Sequence, residues 1–207
     1  MDFFKLQLAN QLKVVLYPRI VLFVWRAVIL FYQVFLQPYY AVTPESATVH
    51  KRIFLSWITY WDAGHYLSIA QNGYIFPQQA FFPLWPLSIK LLTLVGISGE
   101  VASFVLTFLF GLTTFVLFYL LASRLMGTSK AKIALLVFCT FPSTMFLLAG
   151  YTEALFLTLV LLSFLLLENK NHFLASIIGG LASMTRLVGV ALALPFLWLS
   201  VPHSKKL

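Results

Sequence analysis

The stretch WDAGHYLSIAQNGYIFPQQAFFPLWP, residues 61–86, is a polar insert in a sequence that is otherwise largely apolar. It gathers an acid, an imidazole, several amides, prolines and many aromatic side chains. Pro77, Pro83 and Pro86 interrupt or restart regular structure, because proline lacks a backbone N–H and restricts the residue before it. A polar, proline-broken insert beside apolar helices is typical of a functional site.

The first half of this insert predicts a short helix. Asp62 is expected to cap its free N–H groups, and Asn72-Gly73 is a typical helix end. Leu67, Ile69 and Ala70 give the helix one apolar side. We therefore expect it to lie along a membrane surface rather than to cross the membrane.

The composition indicates an integral membrane protein. Hydrophobic residues make up 61% of the chain and charged residues 10%, with a mean hydropathy of +0.92, whereas water-soluble domains are nearer a quarter charged. The net charge of +8 does not indicate nucleic acid, because the basic residues stand between apolar runs and predict orientation in a bilayer instead. The single cysteine, Cys139, is interpreted as a small packing residue.

Five apolar runs predict an all-α, multi-pass membrane protein. A crossing helix needs about 20 apolar residues, and the candidate spans are residues 18–36, 101–123, 133–150, 153–168 and 173–199. Residues 37–98 are expected to form an extracytoplasmic loop with interfacial helices, since the apolar run 84–96 is short. The basic joint 124–132 then faces the cytoplasm, as the positive-inside rule prefers, and Asp62 and Glu153 share the outer face.

Four ionisable residues stand out in this apolar setting: Asp62, His65, Glu153 and Arg186. Asp62 and His65 are three residues apart and share one face of a helix. A carboxylate at the membrane surface can take a proton from a substrate hydroxyl. Arg186, the only charge in a long apolar stretch, suits a phosphate through bidentate hydrogen bonds. Together they favour an enzyme that takes a phosphate-linked sugar from a lipid in the same bilayer.

Each of these residues also has a structural interpretation. Asp62 could be a helix cap, His65 an interfacial hydrogen-bonding group and Glu153 a first-turn acid favoured by the helix dipole. Arg186 could pair with an acid or snorkel toward the headgroups. Two other function classes stay open: a non-catalytic membrane subunit that binds lipid-linked sugar, and a small transporter in which Arg26 and Arg186 line a pathway.

Four blocks of the sequence resemble the PIG-V family of GPI mannosyltransferases and its bacterial relatives, within the GT-C superfamily of polyprenyl-phosphate-sugar transferases. The blocks are WDAGHYLSIAQNGY, AFFPLWPL, FPSTMFLLAGYTEALF and GGLASMTRLVGVAL, in the family's order between about residues 57 and 195. The resemblance implies a GT-C-like helical core. It also implies inverting transfer of a sugar, mannose being favoured, from a polyprenyl- or dolichyl-phosphate donor to a hydroxyl of a lipid-linked or glycan acceptor on the extracytoplasmic face.

The resemblance further implies roles for single residues. Asp62 would be the general base on the acceptor hydroxyl, and His65 would help to hold the acceptor or the leaving phosphate. Glu153 matches the outer-face acid of the family's Y-x-E block. Arg186 matches the arginine of its R-x-x-G stretch and would hold the donor phosphate.

Tyr151 and Gln79 complete the predicted substrate-binding set. Some GT-C enzymes use a divalent cation such as Mg²⁺ or Mn²⁺, but no ligand spacing in this sequence defines a metal site. Members of the family are usually longer, which implies that residues 1–207 form one incomplete domain with a missing C-terminal half, or a short form that works with a partner subunit. Membrane lipids are expected partners, and the short loops favour a bacterial cell membrane over an endoplasmic reticulum membrane.

Overall fold

The computed structural model describes residues 61–200, without the side chains of 198–200, and eight positions of an N-terminal helix. These eight are Tyr17, Ile20, Val21, Phe23, Val24, Ala27, Val28 and Phe31. All regular structure within this part of the chain is helical, which confirms the predicted all-α class. Most of the predicted span 18–36, including Arg26, and the first part of the predicted loop, 37–60, lie outside the described residues.

Residues 61–200 form seven α-helices and three short 3₁₀ helices. The α-helices are α1 (Asp62–Asn72), α2 (Leu84–Thr93), α3 (Gly99–Met126), α4 (Thr128–Thr140), α5 (Glu153–Glu168), α6 (His172–Ser183) and α7 (Ala193–Ser200). The 3₁₀ helices are Gln78–Ala80, Pro142–Leu147 and Leu187–Leu192. The predicted end of α1 at Asn72 is confirmed: Gly73 follows with a φ of 79°, a conformation that glycine adopts without a Cβ clash.

Among the described helices, α3 alone is long and apolar enough to cross a membrane, with 28 residues and a mean hydropathy of 2.3 in its most apolar window. Its buried face carries small and hydroxyl-bearing residues such as Thr107, Gly111 and Thr114. Large side chains such as Phe104 and Leu109 face outward. Small residues at helix contacts and large apolar residues outside are typical of helices packed within a bilayer. The helix predicted at 101–123 is therefore confirmed, while a multi-pass topology stays a prediction.

Two runs that were expected to be unbroken helices are interrupted. The run 133–150 leaves the α-helix after Thr140, because Pro142 cannot donate a backbone hydrogen bond and holds the preceding residue extended. The run 173–199 breaks at Arg186, whose φ of −155° and ψ of 144° are extended. The run 153–168, in contrast, is one helix with the predicted bounds.

Helices α3 and α5 lie side by side and run in the same direction. The Thr114 hydroxyl donates to the Ala154 carbonyl oxygen at 3.1 Å, and further along both helices Arg124 reaches Glu168 at 3.1 Å. The N-terminal end of α5 therefore lies beside the middle of α3, at what we call the site end. The C-terminal ends, with the basic joint 124–132, form the opposite, basic end.

Helix α1 packs its apolar side against the protein. Leu67, Ile69 and Ala70 are at most 7% exposed, and Leu67 and Ala70 share a core cluster with Trp85 and Ile89 of α2. This side therefore meets neighbouring helices rather than lipid. Eleven residues at 1.5 Å each are also too few to cross a hydrocarbon core of about 30 Å.

Candidate functional site

The start of α2 is hydrogen-bonded to both of the later sequence blocks, FPSTMFLLAGYTEALF and GGLASMTRLVGVAL. The Trp85 indole N–H donates to the Gly150 carbonyl oxygen at 2.9 Å, and the Trp85 side chain is completely buried. One residue earlier, the Leu84 backbone N–H donates to the Met184 carbonyl oxygen at 3.0 Å. Both the turn before α5 and the break after α6 are therefore fixed against the same helix start.

Phe81 connects the proline-rich turn to α1. Its ring lies 4.9 Å from the His65 ring and 5.1 Å, edge-on, from the Tyr66 ring, measured between centroids. The Tyr74 hydroxyl donates to the Phe81 carbonyl oxygen at 2.9 Å and so closes the loop. His65 is exposed beside this aromatic contact.

Asp62 lies in the first turn of α1 and is exposed. The predicted capping role of Asp62 was wrong, because Trp61 holds the cap position with a φ of 59° and no side chain accepts a capping hydrogen bond. Asp62 is instead the first helical residue, a position where the helix dipole favours the negative charge of its carboxylate. Its oxygens are therefore not committed to the backbone of α1.

Glu153 and Arg186 form an ion pair at the site end. The Glu153 Oε1 and Arg186 Nη1 atoms are 2.5 Å apart, and the side chains are 25% and 41% exposed. This pair confirms the structural interpretation in which Arg186 meets an acid. The second carboxylate oxygen, Oε2 of Glu153, is buried and accepts no hydrogen bond within the described part of the chain.

Tyr66 marks the point at which the charged candidates meet. Burial raises the pKa of Tyr66 to about 12, with a further increase from the charges of Asp62 and Glu153. A hydrogen bond with the Thr152 side chain and the charge of Arg186 lower that pKa. The charges of Asp62, Glu153 and Arg186, which are far apart in sequence, therefore all influence the pKa of the Tyr66 phenol.

Tyr151 belongs to the same cluster, whereas Gln79 does not. Burial raises the pKa of Tyr151, and so do the charges of Asp62 and Glu153; its half-buried ring stacks on Phe146 at 5.7 Å. Gln79 is exposed in the turn Gln78–Ala80. No hydrogen bond or ring contact within residues 61–200 joins it to the other five predicted site residues.

Sequence reasoning missed two members of this cluster, Tyr66 and Thr152. Tyr66 follows Asp62 by four residues, so both lie on one face of α1, and Thr152 directly precedes Glu153. The four-residue spacing from Asp62 could have identified Tyr66 as a member of the cluster from the sequence. The partnership with Thr152 depends on how α1 packs against the start of α5 and has no local signature.

The divalent cation that the resemblance allows stays a prediction for these residues. No group of three His, Cys, Asp or Glu side chains within the described ranges converges on one point. Asp62 and Glu153 supply two carboxylates at the site end, and one of them is already paired with Arg186. We therefore derive no reaction step through a cation.

A family model described as mannosyltransferase (PIG-V) matches residues 11–194. GPI mannosyltransferase 2 of Schizosaccharomyces pombe is 30% identical over 149 residues, which cover 70% of this chain and 32% of that protein. GPI alpha-1,6-mannosyltransferase 2 of Cricetulus griseus is 32% identical over 148 residues, covering 66% and 30%. The Homo sapiens protein of that name is 36% identical over 116 residues, covering 49% and 23%. The chain spans about a third of the length of the first two relatives, and no solved structure matches it.

Proposed function

The chain belongs to the mannosyltransferase (PIG-V) family, and we propose that it transfers mannose from a polyprenyl-phosphate donor to a hydroxyl of a lipid-linked or glycan acceptor. The observation that carries this proposal is the meeting of Asp62, Glu153 and Arg186 around Tyr66. The names of the relatives, all mannosyltransferases, support mannose as the sugar. The proposal puts the site end at the extracytoplasmic membrane surface; a bacterial cell membrane stays a prediction, which these eukaryotic relatives do not support.

Asp62 is the general base of the proposed reaction. Its exposed carboxylate accepts the proton of the acceptor hydroxyl while the hydroxyl oxygen forms a bond to the sugar's anomeric carbon. The bond from that carbon to the phosphate oxygen breaks, and the phosphate leaves with the electron pair. Displacement from the opposite side inverts the anomeric configuration. His65, one turn along α1 and exposed, holds the acceptor on the same helix face.

Arg186 stabilises the charge that grows on the leaving phosphate. A guanidinium carries five N–H donors in a fixed plane, and the Glu153 pair uses the Nη1 nitrogen. The side chain is 41% exposed, so its other donors are available to a phosphate oxygen. Charge-assisted hydrogen bonds of this kind are stronger than neutral ones and act where charge develops in the transition state.

Glu153 orients Arg186 and binds the sugar. Its Oε2 atom is a buried acceptor without a partner in the described residues, and a group in this state costs about 1–3 kcal/mol. A sugar hydroxyl that donates to Oε2 would remove this cost. Tyr151, whose pKa responds to the Glu153 charge, supplies an aromatic surface beside the same carboxylate.

The test is mannosyl transfer from synthetic polyprenyl-phosphate-mannose in proteoliposomes, with Asp62→Asn compared with the wild-type chain. Loss of a general base is expected to lower transfer by about 100- to 10,000-fold without lowering the Tm. Glu100→Gln is the matched control, because Glu100 is also a carboxylate in the first turn of a helix. Equal transfer by wild type and Asp62→Asn would remove Asp62 from the mechanism.

A second candidate function is a non-catalytic subunit that binds the lipid-linked sugar. It predicts donor binding by the wild-type chain with no transfer, and equal donor binding by Asp62→Asn. The same proteoliposomes distinguish the two functions when donor binding and transfer are measured together.

A further inference from the structure

We propose that Gly189 is a positioning residue for Arg186. Because residue 189 has no side chain, the segment Leu187–Leu192 packs its backbone directly on the end of α6, and this contact holds Arg186 toward Glu153. The inference rests on the proposed function, in which Arg186 binds the donor phosphate. It adds a role for the glycine of the R-x-x-G stretch, to which the resemblance assigns none.

The contact at Gly189 is made between backbone atoms. Gly189 is buried. A Cβ atom at this position would lie 2.6 Å from both the Cα and the backbone nitrogen of Ser183, and 2.7 Å from the carbonyl carbon of Ala182. Non-bonded carbon atoms in good contact are about 3.5–4.0 Å apart, so a side chain at 189 would force the two segments about 1 Å apart. No change of rotamer relieves this overlap, because the atoms that it meets belong to the backbone.

A short link transmits this contact to Arg186. The Gly189 backbone N–H donates to the Arg186 carbonyl oxygen at 2.9 Å and so closes a turn between the two residues. On the other side of Arg186, the Met184 carbonyl oxygen accepts a hydrogen bond from the Leu84 backbone N–H at 3.0 Å. The backbone that carries the guanidinium is therefore held both before and after Arg186.

Arg186 depends on such contacts because its local hydrogen bonding is weak. Its backbone is extended between α6 and the 3₁₀ helix, with a φ of −155° and a ψ of 144°. Its N–H reaches the Ala182 carbonyl oxygen at 3.4 Å, and that oxygen also accepts from the Thr185 backbone N–H at 3.0 Å and from the Thr185 hydroxyl at 2.6 Å. The packing at Gly189 is therefore the firmer restraint on the residue that pairs with Glu153.

The first test is mannosyl transfer by Gly189→Ala in the proteoliposome assay. A displacement of about 1 Å at a group that binds the reacting phosphate can lower the rate about 100-fold. We therefore expect transfer to fall by about 10- to 100-fold. Transfer within about twofold of wild type would overturn the proposal.

Two other glycines, both in α6, provide matched controls. Apart from the backbone of its own helix, no heavy atom of the described residues lies within 4 Å of the position of a Cβ at Gly180. Gly180→Ala should therefore stay within about twofold of wild type. A Cβ at Gly179 would lie 3.2 Å from the Phe196 ring, a side chain that can move, so Gly179→Ala should lower transfer less than Gly189→Ala does. Equal losses in all three variants would overturn the specific role of Gly189.

A second measurement does not depend on activity. The coupling between Glu153 and Arg186 is obtained from the unfolding of wild type, Glu153→Gln, Arg186→Gln and the double variant, and the same cycle is repeated with Gly189→Ala in all four chains. We expect a coupling of about fivefold in the unfolding equilibrium constant with Gly189, and less than about twofold with Gly189→Ala. A purely structural effect of the alanine would destabilise all four chains equally. Equal coupling in both backgrounds would therefore contradict the positioning role.

A one-residue insertion tests the link to Arg186 without a steric clash. Leu187 and Val188 are 71% and 69% exposed, so a glycine inserted between them leaves Gly189 free to keep its contact with Ser183. The insertion lengthens the connection to Arg186, and transfer should fall at least about tenfold while the Tm changes little. Wild-type transfer by the insertion variant would overturn the proposal, and this variant decides it if Gly189→Ala does not fold.

The two proposals fail in distinguishable ways. Transfer that is lost in Asp62→Asn but retained in Gly189→Ala would overturn the role of Gly189 and leave the mannosyltransferase proposal intact. No transfer by the wild-type chain would overturn the proposed activity. The coupling between Glu153 and Arg186 then decides the role of Gly189 by itself.

Discussion

Two arginine–glutamate pairs mark the two ends of helix α5. At the N-terminal end, Glu153 pairs with Arg186 at 2.5 Å; at the C-terminal end, Glu168 pairs with Arg124 at 3.1 Å. Glu153 is 25% exposed and has one buried oxygen without a partner in the described chain. Glu168 is 36% exposed, and its arginine also donates to the Asn169 side chain at 3.1 Å.

The difference between the pairs lies in their neighbours and not in their residue types. The charges of the site-end pair influence the pKa of a buried phenol, Tyr66, as does the charge of a second acid, Asp62. The basic-end pair joins the last turns of α3 and α5 at an exposed surface, where an ion pair contributes little to stability. The comparison teaches that an arginine and an acid indicate a substrate site only when other polar groups converge on them.

The strongest test of this comparison replaces each of the two glutamates by glutamine in a separate variant. Glu153→Gln is expected to lower transfer by about 100- to 1,000-fold, because it removes the charge that holds Arg186 and leaves that cation unpaired. Glu168→Gln should stay within about twofold of wild type. The measurement is kcat/KM for mannosyl transfer in proteoliposomes. Similar losses in both variants would show that the pairs are equivalent and would remove the distinction between the two ends.

The second test concerns the protonation of Tyr66. Its folded-state pKa is about 12, against an ordinary value of 10.0, a difference of about 100-fold in the ionisation constant. The folded state therefore favours the neutral phenol. The resulting stability is fully present below pH 10 and is lost as the pH rises from about 10 to about 12.

The measurement for Tyr66 is the Tm of wild type and Tyr66→Phe across that pH range, with tyrosinate absorbance as a second readout. The wild-type Tm should fall more steeply than that of the variant. The variant should also lack a phenol that ionises near pH 12. Parallel Tm curves would show that Tyr66 titrates like an exposed tyrosine.

Much of the fold follows from the sequence because apolar runs and helix-end signals act locally. Helix α5 has its predicted bounds, α1 ends where Asn72-Gly73 indicates, and the basic joint lies at the opposite end from Glu153. The interruption at Pro142 was also readable, since proline ends a helix. The mean hydropathy of a stretch of sequence indicates burial in lipid or protein, but it does not show whether the helix is continuous.

The break at Arg186 and the cluster around Tyr66 could not be predicted from local sequence signals. Arg186 is extended because its segment is anchored by the Leu84–Met184 hydrogen bond and paired with Glu153. A Cβ at Gly179 would lie 3.2 Å from the Phe196 ring, so α6 and α7 approach each other closely there. These outcomes depend on contacts between distant segments, which a single sequence does not specify.

The third test compares the two arginines. Arg186→Lys is expected to lower transfer about tenfold, because an ammonium keeps the charge but loses the planar set of donors that can hold Glu153 and a phosphate together. Arg124→Lys at the basic end should change transfer less than about twofold. The measurement is kcat at saturating donor for both variants. A Lys at 186 that works as well as Arg would mean that charge alone suffices there.

The smallest expected effect is the stability that the basic-end pair provides. Both partners are more than a third exposed, so Glu168→Gln should lower the free energy of unfolding by at most about 1 kcal/mol. The difference should shrink as salt is raised from about 0.15 M to about 1 M, where the screening length falls from about 8 Å to about 3 Å. Unfolding of wild type, both single variants and the double variant Arg124→Gln/Glu168→Gln measures the coupling directly. A coupling free energy of several kcal/mol that does not change with salt concentration would show that this pair is shielded from water. The two ends of α5 would then differ only in the groups that surround Glu153.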